Sequence, residues 1–278
     1  MSRCVLLALS VLAFSCLDAH GSETAPAPVV RASQMARHLV SVQKSQEAIE
    51  LLTRVLRRFP DSAELLVRRG QIRTYVEQND AACDDFKLAL QSANLNPFQC
   101  SVMIAILIEL DHHDLALKVY TKGKGLSGSN LQRSTFLYQS GCLLRRSNRR
   151  PEAIVLLKEA ARLRPTNLDC CEELILVYAD LHKWDEVIST ANSFEKANKV
   201  VEKRSGLARI YDRRASAYMY KKQYREAIAD ISKAIAISPL TVAFVRKRAE
   251  CYGKLGDRLA QKRDEERADE IVKSFVEK

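Results

Sequence analysis

From Val29 onward, small, aliphatic and aromatic side chains recur three and four residues apart, the spacing of amphipathic helices. The helical segments come in pairs. A small or aliphatic residue central to each first segment has a counterpart twelve positions later: Ala36 with Ala48, Gly70 with Ala82, Ile104 with Ala116, Gly141 with Ala153, Ile175 with Val187, Ala215 with Ala227, and Ala249 with Gln261. Repeats then start at Val29, Ala63, Pro97, Ser134, Leu168, Ala208 and Val242, in steps of 34, 34, 37, 34, 40 and 34 residues. This predicts an all-α chain of seven helix pairs, fourteen helices in all. One pair cannot bury its apolar face alone, so at least ~3 must stack, each shielding the next.

Turn chemistry supports these boundaries. Phe59-Pro60-Asp61, Arg164-Pro165-Thr166 and Ser238-Pro239-Leu240 stop second helices, because proline lacks the N–H and disfavours helix in the residue before it. Asn94-Leu95-Asn96-Pro97 moves that proline to the far side of its turn, and Gly123 to Gly128 reads as a flexible loop. Repeats five and seven carry Ile175, Val187 and Gln261 where small residues are usual, so looser or differently angled packing is expected there. Ala268, Ile271, Val272 and Phe275 share one face of the last helix, as in an amphipathic cap.

Around Ala227 the columns read Ala215, Tyr218, Tyr224, Ala227, Ile231, Ala234 and Pro239. This pattern resembles the tetratricopeptide repeat, in which two helices pack through small residues and end at a proline. The resemblance implies an α-solenoid wound as a right-handed superhelix. It also implies a concave groove, lined by the first helices, that holds an extended peptide or a partner's helix. Carried over column by column, the groove presents Gln71 and Tyr75 from repeat two, Phe98 from repeat three, and Tyr138, Arg145 and Arg146 from repeat four. Glu172 follows from repeat five, Arg209, Asp212 and Tyr220 from repeat six, and Arg246 from repeat seven, the charge alternating by repeat. The carboxylate clamp of some family members is not matched: repeat one offers Ser33 and Arg37, and repeat two offers Arg68 where asparagine is needed. The function this implies is a non-catalytic scaffold or adaptor for a protein or peptide partner.

The first residues belong to a different class. Arg3 gives a basic start, Cys4 to Leu17 is a largely apolar run of fourteen, and Ala19-His20-Gly21 offers small residues at the peptidase positions. Residues 1–21 read as a secretory signal, too short to span a bilayer, which needs ~20 apolar residues. The expected location is the periplasm or the exterior. Ala13-Phe14-Ser15-Cys16 supplies the alternative, a lipoprotein anchored through Cys16 whose basic face meets anionic lipid or polymer. Residues 22–30, with Pro26 and Pro28 among alanines, read as an extended tether, leaving 31–278 for the repeats.

Charge and cysteine usage narrow the picture further. The chain carries a formal +10, and Arg145-Arg146-Ser147-Asn148-Arg149-Arg150 concentrates four arginines in six residues. Aromatics that would stack bases are not interleaved with them, so nucleic acid is not the expected partner. Of eight cysteines, six lie beyond the leader, mostly at helical core columns and in no C-x-x-C pattern. Cys83 and Cys100, on facing helices of neighbouring repeats, are the one pair placed for a disulfide.

Enzyme chemistry finds little support. Gly123-Lys124-Gly125-Leu126-Ser127-Gly128 spells G-x-G-x-x-G but follows a helix where the dinucleotide fingerprint needs a strand. His112-His113-Asp114 points its ligands in different directions, and Cys170 and Cys171 lie ~100° apart on one helix. No H-E-x-x-H, G-x-S-x-G or P-loop occurs, so neither a cofactor nor catalysis is expected. Trp184, the only tryptophan, reads as core.

Overall fold

The computed structural model describes residues 26–197 and 205–276. The expected signal segment, Cys16 and the first four residues of the tether, 22–25, lie outside them. The described residues form fourteen α-helices in seven pairs and no strand. Repeat one is α1 (Ala27–Ser41) and α2 (Ser45–Leu56), repeat two α3 (Ala63–Tyr75) and α4 (Asn79–Ala89), and repeat three α5 (Pro97–Glu109) and α6 (His113–Gly123). Repeat four is α7 (Asn130–Arg146) and α8 (Arg150–Leu163), and repeat five α9 (Leu168–Asp180) and α10 (Trp184–Ala197). Repeat six is α11 (Ser205–Tyr220) and α12 (Tyr224–Ile237), and repeat seven α13 (Val242–Lys254) and α14 (Arg258–Val276). The helices divide into two compact units, one up to Leu143 and one from Leu144.

Small residues do the work expected of them. A Cβ on Gly70 would lie 2.4 Å from Phe86 Cε1, so the fully buried Phe86 ring fits only against a bare backbone. Gln261 takes a small-residue column in repeat seven because Gly253 makes room for it: a Cβ there would lie 2.8 Å from Gln261 Oε1. Gly123 departs from its expected role as linker. It ends α6, buried, with Phe136 standing 2.5 Å from where its Cβ would be, whereas Gly125 meets nothing within 4 Å.

Every first helix ends in the same way. The residue five before each second-helix marker has positive φ: Gln43, Glu77, Asp111, Asn148, His182 and Lys222 between 54° and 62°, and Gly256 at 79°. The following N–H reaches back to the carbonyl five residues earlier in all seven, from Lys44 to Leu39 at 2.7 Å through Asp257 to Tyr252 at 3.0 Å. These are Schellman closures, and they recover the seven-repeat register from the backbone alone. Repeat seven alone uses glycine. With no neighbour within 4 Å of its Cβ position, Gly256→Ala is expected to cost about 1 kcal/mol from left-handed strain. Urea denaturation checks this.

Two ends differ from expectation. Helix α1 begins at Ala27, inside the expected tether, because Pro26 serves as N-cap and Pro28 falls in the first turn, where no N–H is missed. In α14, Ala268 and Ile271 are buried, but Val272 is 40% and Phe275 63% exposed. The cap therefore covers repeat seven with half of its apolar face.

Candidate functional site

Positions three and four apart on a helix share a face, and at about 100° per residue the columns of the eleven candidate residues fall on one. Counted from the marker of each first helix, Phe98 and Arg209 lie at −6, and Tyr138, Glu172, Asp212 and Arg246 at −3. Gln71 lies at +1, Arg145 at +4, and Tyr75, Arg146 and Tyr220 at +5. The two units use this face differently.

In the unit up to Leu143 it is aromatic above and hydrogen-bonded below. Tyr75 is 44% exposed, and Gln71, Phe98 and Tyr138 are half-buried. Beneath them Glu64 ties three successive first helices together. It accepts from Ser33 Oγ on α1 at 2.6 Å, from Arg68 Nη2 on α3 at 3.5 Å, and from Gln99 Nε2 on α5 at 3.3 Å. Arg68, buried, also donates to Ser33 Oγ at 3.3 Å and to Gln71 Oε1 at 3.4 Å. Burial pushes the Glu64 carboxyl up, but the Arg68 charge and the three donors outweigh it and hold the group below its ordinary value of 4.5. A depressed pKa means that Glu64 stabilises the fold above its unfolded-state value and that this contribution is lost as pH falls through the folded one. Glu64→Gln is therefore expected to destabilise the chain at pH 7 and to flatten the loss of stability below about pH 4.5. Denaturation midpoints at pH 7 and pH 3.5 check it.

In the unit from Leu144 the alternating charges pair with each other. Arg145 Nε donates to Glu173 Oε1 at 2.5 Å, linking repeats four and five. Arg209 Nε donates to both Glu172 oxygens at 2.8 and 2.9 Å, linking five and six. Lys247 Nζ pairs with Asp212 and donates to Ser216 Oγ at 3.0 Å, linking six and seven. Alternation by repeat is thus the signature of a ladder between neighbours. Arg145, Glu172, Arg209 and Asp212, expected as partner anchors, are occupied by it. Arg246 approaches Asp269 on α14 at 3.8 Å, with both side chains more than half exposed, and Arg146 is exposed.

At the rim of this unit Tyr220, 67% exposed, stacks on Trp184 with ring centroids 4.2 Å apart and planes 6° from parallel. Trp184 is half-buried, a correction to its expected place in the core: its column faces the last turn of the next repeat's first helix. At the preceding junction the same two columns hold Arg150 and Asp180, 3.6 Å apart.

Sequence reasoning missed one recurrent device. Arg69 pairs with Asp85, Arg214 with Asp230 and Arg248 with Asp264, each sixteen residues apart and each through both carboxylate oxygens at 2.6 to 3.3 Å. Each guanidinium also reaches the preceding repeat's second helix: Thr53 Oγ1 at 2.9 Å, Asn192 Oδ1 at 2.6 Å and Ser232 Oγ at 3.1 Å. The same columns of repeats two, six and seven therefore clip three helices together. Arginine one before the first marker and aspartate three after the second was the available signal.

The remaining candidates are structural. Cys83 and Cys100 are buried thiols that are not joined, and the described residues contain no disulfide. Burial pushes the Cys170 and Cys171 thiols up to about 12, and Cys170 Sγ lies 3.4 Å from the Leu157 carbonyl. His113 Nδ1 stands 3.2 Å from Asp111, and no three His, Cys, Asp or Glu side chains among the described residues converge as metal ligands.

Seven helix pairs, divided between two units that each brace their first-helix face internally, define a helical-repeat protein of the interaction-scaffold class. The family follows from two matches: models described as tetratricopeptide repeat fit residues 33–97 and 208–239, and the chain is a tetratricopeptide-repeat domain protein. Among solved structures, PilW, described as a widely conserved type IV pilus biogenesis factor, is similar at a TM-score of 0.60 and 14% identity, over 77% of this chain and 96% of that one. A crystal structure of MamA is similar at 0.54 and 16% identity, over 64% and 95% respectively. MamA from Desulfovibrio magneticus RS-1, from residue 41 to its end, is similar at 0.54 and 15%, over 64% and 96%. These likenesses concern the fold. No curated protein matches the chain.

Proposed function

We propose that the chain is a non-catalytic adaptor, working outside the cytoplasm, whose first-helix face in the unit up to Leu143 receives a peptide or helix of a protein partner. One contrast carries the proposal. On that unit the face offers partly exposed aromatics, Tyr75, Phe98 and Tyr138, beside the amide of Gln71. On the other unit the equivalent face has its charges joined in ion pairs. Aromatic anchors in a braced surface are what interface hot spots require.

The signal-like residues 1–21 and the likeness to a pilus biogenesis factor support an extracytoplasmic setting. No helix of the described residues is long and apolar enough to cross a membrane. The alternative, a basic face on anionic lipid or polymer, is weakened by the arginines themselves. Arg149 makes a two-pronged contact with Glu152 at 2.7 Å, and Arg145 and Arg150 both lie 3.6 Å from Asp180.

Capture of the partner from the organism's own extracytoplasmic fraction, followed by titration at rising salt, tests the reading. A protein complex that weakens only modestly between 0.1 and 0.5 M salt is expected. Binding to anionic vesicles that collapses over that range, by loss of counterion release, would replace it.

A further inference from the structure

Repeat five leaves open the space that the Arg–Asp clip fills in repeats two, six and seven. Its clip columns hold Leu174 in place of arginine and Thr190 in place of aspartate, while the preceding repeat supplies Lys158 where Thr53, Asn192 and Ser232 stand elsewhere. All three residues line a cleft of about 420 Å³ among α8, α9 and α10. Its other walls include Tyr178, Phe194 and Cys171, which are buried and apolar in character. Two short side chains have replaced a guanidinium and a carboxylate, and the vacated volume is within the range of small-molecule sites, ~300–1,000 Å³.

The charge at this cleft is unbalanced in a specific way. Lys158 Nζ lies 5.9 Å from the centre of the Tyr178 ring, and no carboxylate of the described residues comes within ion-pair distance of it. Of the other charged groups on the rim, Arg162 is held by Glu159 at 2.7 and 2.8 Å, and Glu186 stands on α10. The three clip-bearing repeats place an aspartate three residues after the second-helix marker, Asp85, Asp230 and Asp264, whereas repeats three and four carry the apolar Val119 and Leu156 there. Here that position is Thr190, which keeps a hydroxyl donor and gives up the charge.

We propose that the repeat-five cleft binds a small apolar monocarboxylate. Its carboxylate takes the place of the missing clip aspartate, between Lys158 and the Thr190 hydroxyl, and its apolar body lies over Leu174, Tyr178 and Phe194. A carboxylate is favoured because three sister junctions use one at that point. A single apolar chain or ring is favoured because the walls beneath it offer no second charge. The site is separate from the first-helix face and independent of the partner proposed for it.

Calorimetric titration of the chain with decanoate, using decanol as the uncharged control, tests the assignment. Decanoate is expected to bind with one equivalent and decanol at least tenfold more weakly, the difference a charge-assisted hydrogen bond makes. Lys158→Gln, on an exposed side chain and so harmless to folding, is expected to weaken decanoate about tenfold. Leu174→Arg with Thr190→Asp rebuilds the clip and is expected to abolish binding while the thermal melting temperature holds or rises. The proposal is overturned if decanoate does not bind at millimolar concentration. It is equally overturned if decanol binds as well, if Lys158→Gln binds unchanged, or if an acidic peptide binds the cleft where decanoate does not.

Discussion

Replacing Asp230 with alanine is expected to destabilise the unit from Leu144 by about 3 kcal/mol, the cost of leaving a buried ion partnerless on one side. Arg214 and Asp230 are each about 95% buried, and their two contacts are 2.6 and 2.7 Å. Without Asp230 the guanidinium keeps Asn192 at 2.6 Å and Glu195 at 2.8 Å, which holds the loss near the lower end for broken buried pairs. The net value of the intact pair is a different quantity. Exchanging both residues, Arg214→Met with Asp230→Leu, is expected to return most of the stability, because apolar pairs of similar volume can replace buried ion pairs without loss. Guanidinium unfolding of the three proteins decides. An Asp230→Ala variant as stable as the parent would show that the clip contributes nothing to holding repeats five and six together.

The second large effect concerns binding. Tyr75→Ala and Tyr138→Ala are each expected to weaken the partner complex by about 2 kcal/mol, roughly thirtyfold apiece, since aromatic anchors carry a disproportionate share of interface energy. Both residues sit at the surface of helices whose cores are formed by other side chains, Leu66 and Ile72 in α3 and Leu143 in α7. The fold is therefore expected to survive, with unchanged circular dichroism. Arg145→Ala, by contrast, is expected to act on stability through its contact with Glu173 and to leave binding nearly unchanged. Affinity measured by calorimetry, with melting temperature beside it, separates the two behaviours.

The register of this fold was legible because packing enforces it at single positions. A side chain at Gly70 would collide with Phe86, so a thirty-four-residue column of small residues appears in the text of the sequence. Helix stops were legible where proline supplied them. The left-handed residue closing each first helix was not, because six of seven are ordinary polar residues held by the Schellman hydrogen bond, and only Gly256 advertises itself. At the candidate site, column arithmetic placed all eleven residues on one face. It could not say which charges would meet a partner and which would meet a neighbouring repeat. Glu172 and Arg209 are thirty-seven residues apart, a distance that depends on how two repeats stack. The same limit hid the Arg–Asp clips and, with them, the meaning of their absence at Leu174 and Thr190.

Hydrogen–deuterium exchange of the chain with and without its captured partner addresses the central claim most directly, because it reports which helices the partner covers. New protection is expected on α3, α5 and the part of α7 before Leu143, the helices that carry Tyr75, Phe98 and Tyr138, with α4 and α6 unchanged. Protection confined to α4 and α6, or to helices of the unit from Leu144, would contradict the assignment of the partner to this face.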